Sequence, residues 1–288
     1  MASSLRVEVT QGRWADWMRS GDWERSANTA IPMLPAQAQE IVNLALDPDV
    51  TAARIVAIVS RDPVLATRVV QLANSAFSAS STEITSINEA VVRVGTGLVR
   101  NVMTSTCLSA LAAGPHVYGS RGRECIDHSI GVAYLASSIA PAAGEESSEA
   151  FLYGLLHDVG KLLIIKLARQ AKRYSVVPPS DEELEQVVAE QHAKAAGYLL
   201  RQWGLPGRLR DPLVWHHEPD RAEERPVSAA VAYAANRLAH RYGFVCSLDD
   251  FDPTADPVFE RIGLDAAAVA RLDLEAPELF KLAGKLKS

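Results

Sequence analysis

The chain has 288 residues, 48% hydrophobic and 22% charged, as in an ordinary soluble protein that is long enough for a large core. Its formal net charge is −6 and it has no run of five or more basic residues, which argues against a general affinity for nucleic acid or anionic membranes. No apolar run approaches the roughly 18 residues of a membrane span, and the N-terminus lacks the apolar block of a signal peptide. We therefore expect a cytoplasmic protein.

Residues 1–24 form an arm in which three tryptophans stand among charged residues. We expect Trp14, Trp17 and Trp23 to pack against the rest of the protein, because large aromatic side chains are usually buried. The alternative is that they form part of a partner interface.

The first half of the chain after this arm has the apolar spacing of helices. A stripe at helical spacing is formed by Ala38, Ile41, Val42, Leu44 and Ala45. A second helix is predicted from an N-cap at Thr51 to a stop at Asp62-Pro63, and a third in DPVLATRVVQLANSAF. Ser86 and Glu89 have the spacing of a capping box, which predicts the start of two helices that break near residues 95–97.

The second half continues in the same way. Helices are predicted at 124–140, 148–158, about 181–203 and 256–287, and a further helix at 161–168 continues the second of these after a break at Gly160. The helix at 181–203 starts at a cap on Ser180. No stretch alternates apolar and polar residues for more than a few positions, and neither a phosphate-binding glycine motif nor a repeat is present. The pattern predicts an all-α protein.

The stretch GLLHDVGKLLI places three ionisable side chains, His157, Asp158 and Lys161, inside an apolar run. Burying such groups costs several kcal/mol unless each has a partner or a metal ion. An imidazole beside a carboxylate suits iron, manganese or zinc, whereas calcium prefers oxygen ligands alone. The three cysteines, Cys107, Cys125 and Cys246, are too widely separated to form a zinc knuckle and are predicted to be buried, reduced thiols.

Seven histidines occur in the chain, and five of them, all but His116 and His240, are placed where they could share a pocket with Asp158. A lone histidine is more often a hydrogen-bonded structural residue than a ligand. The joint pattern favours metal binding, with His128 as a third ligand beside His157 and Asp158. An adjacent second position, with Asp158 bridging, would use His192, His216 and His217.

The order of these residues resembles the HD superfamily of metal-dependent phosphohydrolases, and the His216-His217 doublet resembles its binuclear, cyclic-dinucleotide branch. The segments IPMLPAQAQEIV, VSRDPVLATRVVQLANSAF and TSINEAVVRVG are similar to signature segments of the HDOD family, the HD-related output domain of bacterial signalling proteins. The resemblance covers roughly residues 28–240. It implies a two-lobed, all-helical HDOD domain at 25–247, with lobes at 25–118 and 119–247, followed by a helical extension at 248–288.

Two departures from the catalytic pattern of that superfamily bear on activity. Where HD hydrolases have an aspartate on the final helix, this sequence has Asn236, which could ligate but brings no charge. The Gly-Tyr-Pro segment of the cyclic-dinucleotide branch is missing after the doublet. Because two divalent ions would face one carboxylate, a single ion is the expected occupancy.

The resemblance implies a signal-transduction output module with a His/Asp metal site and without robust hydrolase activity. The alternative is a metal-dependent phosphohydrolase of nucleotides or cyclic dinucleotides. In that enzyme His128, His157, Asp158 and Asn236 would hold the ion, and the catalytic residues would be Asp158 and Lys161. A third alternative is an adaptor that makes no use of the pocket, and Lys161 could equally be a surface lysine.

The resemblance also implies the partners. They would be receiver, sensor or cyclic-dinucleotide domains of signalling proteins, with homodimerisation through the arm as a further expectation. Neither a membrane nor a nucleic acid is expected as a partner.

Overall fold

The computed structural model describes residues 12–26, 34, 36–47, 49–76, 84–112, 118–244 and 251–287. These residues are helical almost throughout, which confirms the all-α prediction. Two strands of two residues each, β1 (Gly12–Arg13) and β2 (Val176–Val177), pair in parallel. None of the helices in the described residues is long and apolar enough to cross a membrane.

The helices follow one another with short connections. In chain order they are α1 (Trp14–Ser20), α2 (Trp23–Ser26), α3 (Ala36–Ala45), α4 (Ala52–Val59), α5 (Pro63–Ala76), α6 (Ile87–Val94), α7 (Thr96–Ala112), α8 (Gly119–Ile139), α9 (Ser147–Leu156), α10 (Val159–Arg169), α11 (Asp181–Gln202), α12 (Gly207–Val214), α13 (Pro226–Arg241), α14 (Pro257–Arg261) and α15 (Ala266–Lys287). Short 3₁₀ turns lie at Ala140–Ala143, Ala171–Tyr174, Pro219–Arg221 and Pro253–Ala255.

Helices α3 to α7 form the first lobe, in which α5 packs on α6, and α3 and α4 pack on α7. The stripe predicted for α3 is buried in full. Thr51 caps α4 by accepting a hydrogen bond from the backbone N–H of Arg54, as predicted. The capping box predicted at Ser86 is absent, because the Ser86 side chain makes no cap hydrogen bond although Ser86 is the N-cap residue of α6.

Helices α8 to α13 form the second lobe. Helix α8 packs against α9 and α13, and α10 packs against α11, so that these helices enclose a common interior. A complete capping box starts α11: Ser180 accepts from the N–H of Glu183, whose carboxylate accepts from the N–H of Ser180. The lobes meet where α7 contacts α8 and α9, and α15 packs on α8 and α7.

The tryptophans of the arm pack on the second lobe rather than on the first. Trp14 and Trp23 are fully buried, and α1 lies against α11. Trp23 meets Tyr198 edge-on with ring centres 4.9 Å apart, while the partly buried Trp17 stacks on Tyr174 at 5.1 Å. The prediction that these side chains are packed is therefore confirmed.

The cysteines agree in part with expectation. Cys125 is buried and Cys107 is half-buried, and both are free thiols. Burial raises the pKa of Cys125 to about 12, which makes its thiol unreactive at neutral pH. Cys246 lies outside the described residues.

Candidate metal centre

The predicted ligands are brought together in the interior of the second lobe by helices and the junctions between them. Helix α8 carries His128, α11 carries His192 and α13 carries Asn236. His157 and Asp158 lie between α9 and α10, and His216 and His217 follow α12. All of these side chains are buried except that of His217, which is exposed at one side of the cluster.

The break between α9 and α10 falls at His157-Asp158 and not at Gly160, where the sequence analysis placed it. Asp158 leaves the helical conformation, with φ −100° and ψ 3°, and α10 begins at the next residue. Gly160 instead marks the crossing of α10 and α11. A Cβ at Gly160 would lie 2.0 Å from the carbonyl oxygen of His192. This close approach brings His192 next to Asp158.

Two groups of ligand atoms meet at Asp158. Its Oδ2 lies 3.2 Å from Nε2 of His157 and 3.7 Å from Nε2 of His128. Its Oδ1 lies 3.4 Å from Nε2 of His192. Two ligand atoms that each lie about 2.1 Å from one ion are about 3.0–3.4 Å apart, so the spacing is close to that of a metal site. One carboxylate thus faces both groups, as the bridging hypothesis requires.

The second group consists of three imidazoles. Nε2 of His192 lies 3.3 Å from Nε2 of His216 and 2.9 Å from Nε2 of His217. The rings of His216 and His217 are 4.1 Å apart. Three ring nitrogens therefore surround one small space, and Oδ1 of Asp158 approaches one of them, Nε2 of His192.

Backbone carbonyls orient three of the histidines. Nδ1 of His157 donates to the carbonyl oxygen of Gly154 at 2.7 Å. Nδ1 of His192 donates to that of Val188 at 2.7 Å, and Nδ1 of His216 to that of Leu213 at 2.6 Å. A carbonyl can only accept, so Nδ1 carries the proton and Nε2 points inward. Metal-binding histidines are usually held in this way.

A buried ligand atom without a hydrogen-bond partner shows whether these residues fit a metal ion. Nε2 of His157 is buried and makes no hydrogen bond within the described residues, because its ring proton is on Nδ1 and the carboxylate of Asp158, 3.2 Å away, has no proton to donate. A buried ring nitrogen without a partner is costly, and a cation between it and the carboxylate would satisfy both. The residues fit a divalent metal ion.

The protonation of the cluster also suits a metal. Burial lowers the pKa of His128 to about 3 and that of His217 to about 4, and it lowers the pKa of His192 and, strongly, of His216. Burial alone would raise the pKa of Asp158, but His157 and Lys161 outweigh it and hold that pKa well below its usual range. Neutral imidazoles and an ionised carboxylate are the forms that bind metals.

Lys161 lies on α10 and donates to Oδ2 of Asp158 at 2.5 Å. Burial would lower the pKa of Lys161, but Asp158 outweighs this and raises it. The ammonium group is therefore a permanent partner of the carboxylate. The backbone carbonyl of Asp158 accepts a weaker hydrogen bond from Cys125 Sγ at 3.6 Å.

A cavity of about 780 Å³ opens in front of the cluster. Asp158, Lys161, His192 and His217 lie at its base. Its walls combine apolar side chains with acidic ones, namely Ile165, Leu184, Val188 and Phe244 with Glu124, Asp127 and Glu185. The volume is within the range of about 300–1,000 Å³ that is typical of small-molecule sites.

One residue of this site, His240, was not predicted from the sequence. His240 lines the cavity, and its ring lies 5.4 Å from the ring of His128. The sequence did contain one indication of this: His240 follows Asn236 by four residues, which puts both side chains on one face of α13. His116 lies outside the described residues.

Two relatives are similar to parts of this chain. An uncharacterized protein of Treponema pallidum (strain Nichols) is 29% identical over 220 residues, 71% of this chain and 41% of that protein. A ribonuclease Y of Thermus thermophilus is 32% identical over 124 residues, 43% of this chain and 18% of that enzyme. The chain thus matches less than half the length of either relative.

Three solved structures share the fold. An HDOD domain protein of unknown function from Geobacter sulfurreducens has a TM-score of 0.68 at 21% identity, covering 92% of this chain and 97% of that one. A candidate signal transduction protein from Marinobacter aquaeolei VT8 has a TM-score of 0.70 at 22% identity, covering 95% of this chain and 66% of that one. A candidate metal-dependent phosphohydrolase from Shewanella amazonensis SB2B has a TM-score of 0.66 at 18% identity, covering 94% of this chain and 97% of that one.

The family model of the HDOD domain matches residues 31–219, well over half of the chain. This match includes the first lobe and most of the metal centre up to the histidine doublet. The chain belongs to the HDOD family.

Proposed function

We propose that the chain is a bacterial signal-transduction output module whose second lobe holds one divalent metal ion, and that its role is regulatory rather than efficient hydrolysis. The observation that carries the proposal is the buried cluster, in which inward-facing imidazole nitrogens meet a single bridging carboxylate. The similarity to a Marinobacter protein described as a candidate in signal transduction supports the regulatory part. Iron, manganese and zinc all suit this donor set.

The charge of the cluster supports one ion rather than two. Asp158 is the one carboxylate in the two ligand groups found among the described residues, and it already holds the ammonium of Lys161. Two divalent ions beside one carboxylate would leave a large excess of positive charge in a buried space. One ion is far easier to balance, with a hydroxide or an anion from the cavity.

The contact between His128 and Asn236 supports the regulatory role. Nε2 of His128 lies 3.0 Å from Oδ1 of Asn236. An aspartate at this position, as in the HD hydrolases that the sequence resembles, would add a second negative charge to the centre. The amide adds none, so the centre has one anionic ligand fewer to hold a metal ion than those hydrolases have.

Phosphoester hydrolysis is the second candidate, and the cavity favours it. The cavity reaches Asp158 and His217 directly, and Lys161 lines it. When bound, a metal ion would lower the pKa of a water toward neutrality. The chain itself would supply Lys161 to attract a phosphate, and apolar walls to hold the organic part of a substrate.

Elemental analysis followed by an assay tests the proposal. The wild-type protein and an Asp158→Asn variant, both shown to be folded by circular dichroism, would be measured for bound metal. They would then be incubated with bis(p-nitrophenyl) phosphate and with a cyclic dinucleotide. We expect about one metal ion in the wild type, little in the variant, and turnover far below the common enzymatic range of about 1–1,000 per second. Metal-dependent turnover within that range would replace the regulatory proposal with the second candidate, and absence of metal would refute both.

A further inference from the structure

We propose that four basic side chains on the second lobe form a docking surface for an acidic segment of a partner protein. They are Lys166, Arg169, Lys172 and Arg173, and we call them the basic face. The face lies at the C-terminal end of α10, whereas Asp158 precedes the first residue of that helix. Docking there does not require a metal ion in the centre.

The positive charge of this stretch is not balanced by nearby residues of the chain. Residues 159–180 include no aspartate and no glutamate, although the chain as a whole has a net charge of −6. The acidic residues at either end already have partners, since Asp158 pairs with Lys161 and Asp181 with Arg121. A local excess of positive charge therefore remains on an acidic protein.

The four side chains lie on one side of a continuous winding. Lys166 and Arg169 are on the last turns of α10, and the 3₁₀ turn that carries Lys172 and Arg173 follows directly. The N–H of Arg173 donates to the carbonyl oxygen of Gln170 at 2.8 Å, which keeps the chain winding in the same sense. At about 100–120° per residue, the four positions fall within roughly a third of the circumference.

The charges of the basic face are unpaired and accessible. Lys166 is half-buried, the other three side chains are exposed, and none of the four forms an ion pair with the residues that the structure describes. Most arginines elsewhere on the described surface do form such pairs, as Arg19 does with Glu190. Partial burial also lowers the pKa of Lys166, because its ammonium group loses water without gaining a carboxylate. A carboxylate from a partner would supply what this chain does not.

Aromatic and aliphatic surface adjoins the cations. Tyr174 follows Arg173 in the 3₁₀ turn, and its half-buried ring stacks on the half-buried ring of Trp17 with centres 5.1 Å apart. Val177, three residues further along, is 46% exposed. A protein segment with apolar side chains among its carboxylates would contact both parts of this surface, as in interfaces that combine aromatic contacts with complementary charge.

The limited extent of the positive charge favours a protein segment over a nucleic acid. Strand β2 contacts the 3₁₀ turn, and its partner strand β1 carries Arg13, which pairs with Glu183. The acidic first turn of α11, Asp181 to Glu183, therefore lies close to the basic face. A nucleic acid has a phosphate at every nucleotide and would extend onto this acidic turn, whereas a short segment with a few carboxylates would not.

Fluorescence anisotropy with the full-length protein at low ionic strength tests the proposal. The probe is a short fluorescein-labelled peptide rich in glutamate and containing one phenylalanine. The same peptide with glutamine in place of each glutamate is the control for charge, and a labelled oligothymidine of equal length tests the nucleic-acid alternative.

Two variants separate the basic face from the overall charge of the protein. The first combines Arg169→Gln, Lys172→Gln and Arg173→Gln. The matched control removes three exposed arginines from other parts of the surface, through Arg25→Gln, Arg54→Gln and Arg61→Gln. All six positions are exposed, and circular dichroism would check that both variants fold.

Carbodiimide coupling to the wild type gives a measurement that needs no variant. The reagent joins a carboxylate to a lysine amine that it contacts, and peptide mapping by mass spectrometry locates the bond. We expect the acidic peptide to be coupled to Lys166 or Lys172 rather than to Lys194, which pairs with Glu24. Coupling mainly to Lys194 would place the peptide elsewhere and overturn the proposal.

The acidic peptide should bind the wild type and bind the basic-face variant about tenfold more weakly, as for the loss of several exposed charge pairs. The control variant should stay within about twofold of the wild type, since its arginines are not in the docking surface. An equal loss in both variants would show that overall charge alone attracts the peptide, and it would overturn the proposal. No binding of the acidic peptide, equal binding of the glutamine peptide, or tighter binding of the oligothymidine would also overturn it.

Discussion

Asp158 lies where the two groups of ligand atoms meet. One of its oxygens contacts Lys161 and faces His157 and the other faces His192, although the side chain is almost completely inaccessible to water. An isolated buried carboxylate would be very costly, so the ammonium of Lys161 stabilises the metal-free form. The same ammonium repels any metal ion that approaches the carboxylate.

Replacing Lys161 should therefore change stability and metal affinity in opposite directions. We expect Lys161→Met to destabilise the metal-free protein by about 1–3 kcal/mol, because it leaves a buried charge without its partner. Metal affinity should rise by about tenfold or more, since a nearby positive charge is removed. Chemical unfolding with a chelator present and a zinc competition titration would measure the two effects.

Lys166→Met is the matched control, since it removes a lysine from the same helix and none of the ion pairs described for Asp158 involves it. It should leave metal affinity unchanged. A Lys161→Met protein that binds metal more weakly than the control would show that Lys161 supports the ion.

Some residues of the site could be predicted from the sequence and others could not. His157 and Asp158 were identifiable because ionisable groups in an apolar run need partners. His240 was not identified, because it stands among residues of ordinary helical composition and only the packing of α13 on α8 brings it to His128. The contact of Lys161 with Asp158 likewise required the geometry of the break before α10.

At the scale of elements, the crossing of α10 and α11 determines the spacing of the centre. The position of Gly160 lies so close to α11 that a Cβ would meet the backbone of His192 and of Ala196 at 2.0 and 2.4 Å. Backbone atoms cannot rotate away as a side chain can. A larger residue must push the two helices apart, and with them Asp158 and His192.

Gly160→Ala should accordingly impair both folding and the metal centre. We expect a loss of about 3 kcal/mol in the free energy of unfolding, as for overpacking in a tight core, together with weaker metal binding. Urea denaturation and a metal titration would test this.

Gly97→Ala serves as the control, because Gly97 lies within α7 and an added Cβ would meet nothing within 4 Å. It should be neutral or stabilising by up to about 1 kcal/mol. Equal effects of the two substitutions would contradict the role assigned to the crossing.

The helices themselves were the most predictable elements. Periodic apolar residues and caps located α3, α4 and α11 well, because these signals are local in the chain. The break at His157-Asp158 was misplaced by two residues. Gly160 looked like a helix breaker, but its small size serves a contact with α11 that lies more than thirty residues further along the chain.

At the scale of the whole molecule, the arm and the extension both pack on the second lobe. Arg19 of the arm bonds Glu190 of α11 at 2.7 Å, and Lys194 of α11 pairs with Glu24 at 3.3 Å. On the other side, α15 contacts α8 and α7. The sequence predicted an arm and an extension, but which surface each would cover depended on contacts between distant parts of the chain.

The buried histidines should make the stability of the whole metal-free protein sensitive to acid. Burial lowers the pKa of His128 to about 3, and partial burial of the His217 ring beside His192 lowers its pKa to about 4, whereas an unfolded histidine titrates near 6.5. Below pH 6.5 the unfolded chain therefore binds more protons than the folded one, and stability falls as the pH falls toward 4. Asp158 acts in the same direction only below about pH 5, where the unfolded carboxylate begins to bind a proton while the folded one stays ionised.

Urea unfolding between pH 7.5 and 4.5 with a chelator present would measure this dependence. We expect the free energy of unfolding to decline by several kcal/mol, on the order expected for several buried histidines. His217→Gln should flatten the decline in part. A free energy that stays constant from pH 7 to 5 would show that these histidines accept protons in the folded state.

The central claim is that the cluster around Asp158 is a metal site, and calorimetric titration of the metal-free protein tests it most directly. Zinc or manganese would be titrated into the wild type and into Asp158→Asn, with folding of both confirmed by circular dichroism. We expect the wild type to bind one ion per chain and the variant to bind with an affinity at least a hundredfold lower, since the lost carboxylate is a direct ligand. No binding to the folded wild type, or equal binding to both proteins, would contradict it.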